Sequence, residues 1–162
     1  MIKPKKQLSI EIVKDKSSVL AIARSLPHFF SNEGLASMTK DLKTHILRGA
    51  FMDNTLVGFV ILRKADMRSL EISWLAILPS YQNQGIGKKL VKESLKYFTD
   101  KKYIVCYVKT LAETANDDGY AKTRAFYKSL GFQALEIINP YPGWSDENPC
   151  QILATALPLS QK

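Results

Sequence analysis

The chain has 162 residues, the length of one ordinary domain, and its hydrophobic share of 46% and charged share of 23% are average for a globular protein. These values exclude a disordered chain, a collagen-like chain and a coiled-coil rod. The longest apolar run, Leu56 to Leu62, has seven residues, whereas a membrane span needs about 20. With two cysteines, no zinc quartet and no apolar signal core after Met1, the sequence predicts a cytoplasmic protein that does not enter a membrane.

The net charge is +8, and half of that excess lies in residues 85–104, which carry +4. Such a block is typical of a protein that binds a polyanion or a phosphate-bearing small molecule, and also of a solvated helix face. No predicted helix carries a basic face interleaved with aromatic residues, and no nucleic-acid motif is present. We therefore expect no specific nucleic-acid partner.

The first half of the chain predicts a basic tail over residues 1–7, followed by one domain over residues 8–158. Alternating apolar residues predict strands, and apolar residues at helical spacing predict helices. Two residues, Asp53 and Asn54, form a hairpin turn. The elements are a strand from Leu8 to Val13, a helix capped by Ser17, a helix capped by Asn32 that contains Leu35, Met38, Leu42 and Ile46, strands at 51–52 and 55–62, and a strand over 70–78.

The second half predicts an amphipathic helix from Gly85 to Phe98, with a lysine-rich outer face. A strand follows at 103–108, then a helix over 120–130 that is capped by Asp118 and closed by Gly131. The last strands are 132–138 and 150–157. The order is β-α-α-β-β-β-α-β-α-β-β, which indicates a single mixed α/β layer fold.

The sharpest local feature is the junction between the strand over 70–78 and the helix that follows it, at Gln82-Asn-Gln-Gly-Ile-Gly87. Glycines let the backbone approach a ligand, and the first amides of a helix attract anions. The spacing matches neither a dinucleotide fingerprint nor a P-loop, because Leu90 and Lys89 stand where those motifs need other residues. An anion site and a plain glycine turn are both compatible with this pattern.

The segment Gln82-x-x-Gly85-x-Gly87, placed directly after a strand, resembles the acetyl-CoA-binding motif of the GNAT superfamily of N-acetyltransferases. A second segment, Arg124 to Phe132, is similar to the helix and strand that close the cofactor site of that family. The resemblance implies a mixed, mostly antiparallel sheet flanked by helices. It also implies acetyl-CoA as cosubstrate, whose phosphates would suit the basic block.

The resemblance also implies site residues. The backbone of the strand would pair with the pantetheine arm and polarise the acetyl carbonyl, and the turn and helix start would hold the phosphates. Tyr120 stands where many members have Asn, which puts one cofactor contact in question. The cofactor-binding residues implied are Leu75, Ala76, Ile77, Gln82, Asn83, Gln84, Gly85, Ile86, Gly87, Lys88, Lys89, Tyr120, Arg124 and Tyr127.

Acetyl transfer to an amine needs a proton acceptor, because a free lysine amine has a pKa near ~10.4. Glu71 lies fourteen residues before Gly85, the strand position from which histone-acetylating members deploy a general base. By alternation it shares a strand face with Ser73, Leu75 and Ile77, so we expect apolar neighbours that raise its pKa. On the residue alone, a solvated Glu at a strand start is the competing interpretation.

Tyr127 matches the family tyrosine that protonates the departing thiolate. Because Tyr120, Tyr127 and Leu130 share a helical stripe, a core aromatic is the alternative. A covalent route through Cys106 is disfavoured, since Cys106 lies in a buried strand pattern. His28 and His45 are interpreted as incidental, and no Cys or His pair has metal-ligand spacing, so no metal is predicted.

The amine acceptor, a small molecule or a peptide, is expected at two loops. One spans Pro27 to Glu33 with Phe29 and Phe30. The other spans Pro140 to Pro149 with Tyr141 and Trp144. These aromatics could clasp an acceptor or lie over the core. A non-catalytic acyl-CoA sensor on the same fold is the competing function, and homodimers are common in the family.

Overall fold

The computed structural model describes residues 6–99 and 101–160, and its elements follow the predicted order. Most of the predicted basic tail lies outside the described residues. The strands are β1 (Leu8–Ile12), β2 (Ile46–Met52), β3 (Thr55–Asp66), β4 (Ser69–Ile77), β5 (Val105–Leu111), β6 (Gln133–Ile138) and β7 (Cys150–Ala156). The helices are α1 (Lys16–Arg24), α2 (Asn32–Asp41), α3 (Ile86–Thr99) and α4 (Asp118–Ser129), with single 3-10 turns at Pro79–Tyr81 and Glu113–Ala115.

The three predicted helix N-caps are wrong: in each case the capping residue lies one or two positions earlier in the chain than predicted. The N-cap side chain is Asp15 rather than Ser17, Ser31 rather than Asn32, and Asp117 rather than Asp118. Each accepts a hydrogen bond from a backbone N–H of the first helical turn, as a capping side chain does. Ile46 was expected in a helix but opens β2, because α2 ends at Asp41.

Hydrogen bonding orders the strands β1-β2-β3-β4-β5-β7-β6, mostly antiparallel, with β4 and β5 parallel. This arrangement confirms the predicted mixed α/β fold. The residues group into two compact units, one of residues up to 63 together with 74–94, the other of residues 64–73 together with those from 95 onward. Strand β4 therefore contributes its first half to the second unit and its second half to the first unit. The expectation of one domain over 8–158 stays a prediction.

The first unit has a hydrophobic core of side chains from α1, α2, β2 and β3, with Ala76 from β4. Asp53 and Asn54, both with positive φ, make the tight turn between β2 and β3, as predicted. Gly58 on β3 packs against the last residues of β4. A Cβ on Gly58 would overlap Ile77 Cδ1 and would lie 2.9 Å from the carbonyl oxygen of Ala76.

In the second unit, β5 pairs in parallel with Ser69–Ile72 of β4 and antiparallel with β7. Gly131, with φ +93°, ends α4 in the left-handed conformation, as predicted. Strand β6 is the last strand in the order, and its register against β7 shifts between Ala134 and Glu136. Two of its apolar side chains, Leu135 and Ile137, are exposed.

We predict that Gly58→Ala lowers the free energy of unfolding by about 1–3 kcal/mol, because the new methyl group must push backbone as well as a side chain. Urea unfolding followed by circular dichroism measures the change. Gly34→Ala is the matched control, since a Cβ there meets Ser31 Oγ at 3.4 Å, an ordinary contact, and alanine favours a helix. Equal stability of Gly58→Ala and wild type would contradict the close packing at β3.

Candidate active site

Glu71 lies in the first half of β4, is 3% exposed and has a charged and a polar partner on β5. Lys109 Nζ lies 2.8 Å from Glu71 Oε1, and the Tyr107 hydroxyl donates to Glu71 Oε2 at 3.2 Å. The register explains these contacts: Glu71 is opposite Tyr107 on β5, and Lys109 is two residues further along that strand. The sequence of β4 alone could not reveal these partners on β5, and the expectation that apolar neighbours raise the pKa of Glu71 stays a prediction.

Lys109 was missed by the sequence analysis. Its side chain is 23% exposed, and Nζ donates to the Tyr141 hydroxyl at 3.2 Å and lies 5.2 Å from the centre of the Tyr141 ring. Burial alone would lower the pKa of the Lys109 ammonium, but the hydrogen bond and charge of Glu71, helped by Tyr141, raise that pKa above its usual value. Lys109 therefore carries a full positive charge beside the Glu71 carboxylate.

Tyr127 is 3% exposed on α4, and its ring packs edge-on to Phe126 and Phe132 with centroids 5.1 and 5.3 Å away. Burial, and to a smaller extent the nearby Cys106, raise the pKa of Tyr127 well above its ordinary value. The phenol is therefore protonated at every physiological pH. That state suits a proton donor and also a core aromatic, so the catalytic role stays a prediction.

The other two predicted residues of α4 have structural partners. Arg124 is buried, and its Nη1 donates to the carbonyl oxygen of Leu111 at 2.7 Å, which ties α4 to the end of β5. The backbone N–H of Tyr120 donates to the Asp117 cap at 2.9 Å. Burial, together with the Asp117 charge, raises the pKa of the Tyr120 hydroxyl. Their cofactor contacts stay predictions.

In the first unit, the second half of β4 leads through Leu78 and a 3-10 turn into the glycine turn. Gln82 Nε2 donates to the Ile77 carbonyl at 2.9 Å, and Gln84 Nε2 donates to the Ser80 carbonyl at 3.0 Å, so both side chains brace the turn. Gly85 has φ +78°, which favours glycine, and no atom lies within 4 Å of the position its Cβ would take. The turn therefore presents open, accessible backbone at the start of α3.

The predicted residues around this turn divide by exposure. Ile86 is buried and anchors the helix start, whereas Asn83, Lys88 and Lys89 are exposed. Lys89 forms an i,i+4 ion pair with Glu93 at 3.7 Å. In β4 itself, Ala76 is buried, and Leu75 and Ile77 are half-buried. The structure therefore places an apolar strand end, an open turn and two exposed lysines in succession along the chain.

The two loops expected to hold the acceptor differ. Phe30 is buried in the core of the first unit, and its ring stacks on that of Trp74 with the ring centroids 5.8 Å apart. The Trp74 Nε1–H donates a hydrogen bond to Asp41 at 2.7 Å. Of the two alternatives stated for Phe30, packing on the core is therefore correct. In the second unit, Tyr141 and Trp144 pack together at 5.4 Å, and Tyr141 contacts Lys109.

Both cysteines are free and buried. Burial raises the pKa of the Cys106 thiol to about 12 and that of Cys150 to about 11. Over residues 6–99 and 101–160, no three His, Cys, Asp or Glu side chains are grouped to hold a metal ion. Within the same ranges, no helix combines the length and apolarity that a membrane crossing requires.

The family of acetyltransferase (GNAT) domains matches residues 44–134, which is more than half of the chain. This chain belongs to the GNAT acetyltransferases. The match contains β4, the glycine turn, α3, β5 and α4, and thus every residue predicted above for catalysis or cofactor binding. It ends before the loop that carries Tyr141, so the family assignment says nothing about that loop.

Solved structures share the fold of this GNAT acetyltransferase. A GNAT-family acetyltransferase from Desulfovibrio desulfuricans aligns with a TM-score of 0.75 at 17% identity, covering 94% of this chain and 99% of the other. The ribosomal-protein-S18-alanine N-acetyltransferase of Escherichia coli gives 0.73 at 17% identity, covering 96% and 97%. A GNAT acetyltransferase from Elizabethkingia anophelis, with acetyl-CoA bound, gives 0.68 at 19% identity, covering 96% and 100%.

We predict that neither cysteine of the folded GNAT acetyltransferase reacts with an aromatic disulfide reagent at pH 8 within minutes. The thiolate is the reactive form, and with pKa values of about 12 and 11 it is a very small fraction of either thiol at that pH. Absorbance of the released chromophore measures the reaction, and unfolding in urea should expose two thiols. Rapid reaction of the native chain would contradict the burial of Cys106 and would reopen a covalent route.

Proposed function

We propose that this GNAT acetyltransferase moves the acetyl group of acetyl-CoA to a primary amine by direct attack, with enzyme, acetyl-CoA and amine together in one complex. The observation that carries the proposal is the buried Glu71 carboxylate on β4, the strand that leads into the glycine turn. A buried ionisable group on such a strand is a candidate proton acceptor. Similar structures with coenzyme A or acetyl-CoA bound support the choice of cosubstrate.

The residues at the glycine turn fit the phosphates of coenzyme A. The backbone at Gly85 is open, α3 starts immediately after it, and the positive end of a helix favours anions. Lys88 and Lys89 add exposed positive charge in the first turn of α3. In this proposal the main chain of Leu75, Ala76 and Ile77 holds the pantetheine arm and the acetyl carbonyl, so the identity of their side chains matters little.

In the proposed reaction Glu71 takes the proton that the amine must lose before it can attack. Because Glu71 is 3% exposed, an amine in solution has little direct access to its oxygens. We therefore propose that a water molecule carries the proton from the amine to the carboxylate. The carboxylate that receives this proton contacts Lys109 at Oε1 and accepts a hydrogen bond from the Tyr107 hydroxyl at Oε2.

Tyr127 supplies the proton that the departing sulfur requires. Its phenol stays protonated because burial raises its pKa, and its ring is held in place by Phe126 and Phe132. A thiol with a pKa near ~8.5 is already a reasonable leaving group, so the proton contributes less here than it would for an amine. We expect Tyr127 to accelerate the reaction without being indispensable to it.

We further propose that the acceptor is a small molecule or a peptide, that the enzyme works in the cytoplasm, and that it forms a homodimer. The two free, buried cysteines fit a reducing compartment. Structural neighbours act on acceptors as different as an aminoglycoside and the alanine of a ribosomal protein. This variety is the reason for testing several amine classes rather than one.

The proposed function is tested by free-thiol release from acetyl-CoA with a panel of amines that contains a polyamine, an aminoglycoside, a lysine peptide and a peptide with a free amino terminus. We predict turnover with at least one of them, and a loss of about 10²-fold or more in Glu71→Gln, which keeps shape but cannot accept a proton. The loss should shrink at high pH, where the amine is already neutral.

Calorimetry with coenzyme A is the control for this experiment. Binding that is equal in wild type and Glu71→Gln shows that the variant lost chemistry rather than the cosubstrate site. Binding without turnover on any amine would favour the acyl-CoA sensor over the enzyme. Full activity of Glu71→Gln on the best amine at neutral pH would remove Glu71 from the proposed role.

Tyr127→Phe should lower turnover by about 10- to 10³-fold and leave the Michaelis constant for acetyl-CoA nearly unchanged, because the proton is donated only in the transition state. The phenyl ring keeps the packing with Phe126 and Phe132, so the melting temperature should change little. Steady-state thiol release and thermal melts of both proteins measure these effects. Equal turnover in a stable variant would assign Tyr127 to the core alone.

A further inference from the structure

Lys109 brings an amine of the chain itself into contact with the carboxylate that we propose as the proton acceptor. Its Nζ lies 2.8 Å from Glu71 Oε1, a distance at which a base can take a proton directly. The same Nζ donates to the Tyr141 hydroxyl at 3.2 Å and lies 5.2 Å from the centre of that ring. Lys109 therefore holds a position beside Glu71 from which an amine can give up its proton without a bridging water.

We propose that this GNAT acetyltransferase acetylates its own Lys109 when acetyl-CoA is present, with Glu71 as the proton acceptor. This inference rests on the proposed function, which supplies the thioester and the role of Glu71. It assigns Lys109 as a modification site, and it requires the bound acetyl group to come within reach of Nζ. An amine held in the same molecule as the thioester and the base has a far higher effective concentration than a free amine.

The reaction consumes acetyl-CoA and the lysine ammonium. Glu71 Oε1 first takes one proton from Lys109, which frees the lone pair of Nζ. The nitrogen attacks the carbonyl carbon of the thioester, a C–N bond forms, and the C–S bond breaks with its electron pair leaving on sulfur. The nitrogen then loses a second proton and the sulfur gains one, while Glu71 releases the first proton to water. The products are acetyl-lysine, free coenzyme A and one proton.

The surroundings of Lys109 make this reaction slow. Burial alone would lower the pKa of the Lys109 ammonium, but the hydrogen bond and charge of Glu71, helped by Tyr141, raise that pKa above its usual value. The neutral amine is therefore rare at neutral pH. Because the product is an amide, which carries no charge and does not react again, each chain takes up one acetyl group at this position.

Exposure to solvent alone predicts a different order of lysine reactivity. The Lys109 side chain is 23% exposed, whereas Lys40 and Lys128 are exposed residues. A reagent that needs no enzyme therefore reaches Lys40 and Lys128 before Lys109. Self-acetylation reverses this order, because Glu71 assists Lys109. The lysine that reacts first separates the proposal from unassisted chemistry.

The test follows acetyl transfer onto the full chain by mass spectrometry of its peptides. Wild type is incubated with acetyl-CoA that carries a deuterated acetyl group, so that new acetyl groups differ in mass from any added during expression, and both kinds are counted. A parallel sample is treated with N-hydroxysuccinimide acetate, which acetylates amines without an enzyme. Glu71→Gln lacks the proton acceptor, and Lys109→Arg confirms which peptide carries the modification.

We expect acetyl-CoA to modify Lys109 of wild type ahead of Lys40 and Lys128, and the chemical reagent to modify it after them. In Glu71→Gln the rate at Lys109 should fall by about 10²-fold or more, as for the loss of a positioned base. A Lys109 that reacts no faster than the exposed lysines, or equally fast in Glu71→Gln, would overturn the proposal. If Glu71→Gln fails to fold, the order of reactivity in wild type decides alone.

A mixing experiment tests whether the reaction occurs within one chain. When unlabelled wild type is mixed with ¹⁵N-labelled Glu71→Gln, we expect acetyl-Lys109 in the unlabelled peptide alone. Equal acetylation of the labelled peptide would mean transfer between molecules and would overturn the proposal. The proposed function is judged separately by the amine panel: turnover of an added amine while Lys109 stays unmodified would overturn self-acetylation and leave that function standing.

Discussion

The Glu71 carboxylate is buried in the second unit, and its charge requires polar or charged partner side chains. Glu71 is almost fully removed from water, and a charge in that position is stable only when charged or hydrogen-bonding partners replace the lost hydration. The parallel register of β4 and β5 provides them, because it sets Tyr107 opposite Glu71 and brings Lys109 within reach. Through Lys109 the same constraint extends to Tyr141 and hence to the loop after β6.

The order of the elements and the buried face of α3 could be predicted because both depend on local periodicity. The stripe on α3 was predicted from helical spacing, and its members are 3% exposed or less: Ile86, Leu90, Val91, Leu95 and Phe98. The hairpin turn at Asp53 and Asn54 could also be predicted from the sequence, since both residue types tolerate positive φ. Helix starts were less exact, because adjacent polar residues compete for one capping position and only the backbone geometry selects among them.

The contact of Lys109 with Glu71 could not be predicted in the same way, since the sequence of β5 does not indicate which strand pairs with it. The order β5-β7-β6 reverses the last two strands relative to the chain, and the register of β4 against β5 depends on crossover geometry rather than on a local pattern. The aromatic loop before α2 shows a related limit. Phe29 and Phe30 are adjacent in a polar segment, yet Phe30 enters the core because Trp74 on β4 offers a ring to stack on. Burial of that kind depends on a partner distant in sequence.

The irregularity in β6 affects how this protein behaves at high concentration. A strand at the end of a sheet offers unpaired backbone groups to other chains, and the exposed Leu135 and Ile137 would favour such templating. The pairing with β7 shifts register between Ala134 and Glu136, an irregularity of the kind that bends a strand and increases its twist, and Glu136 adds a charge there. A strand from another chain that paired with β6 would therefore meet irregular backbone and the charge of Glu136 directly after Gln133 and Ala134. Uncontrolled strand addition, the first step of fibril growth, is opposed at this edge of the sheet.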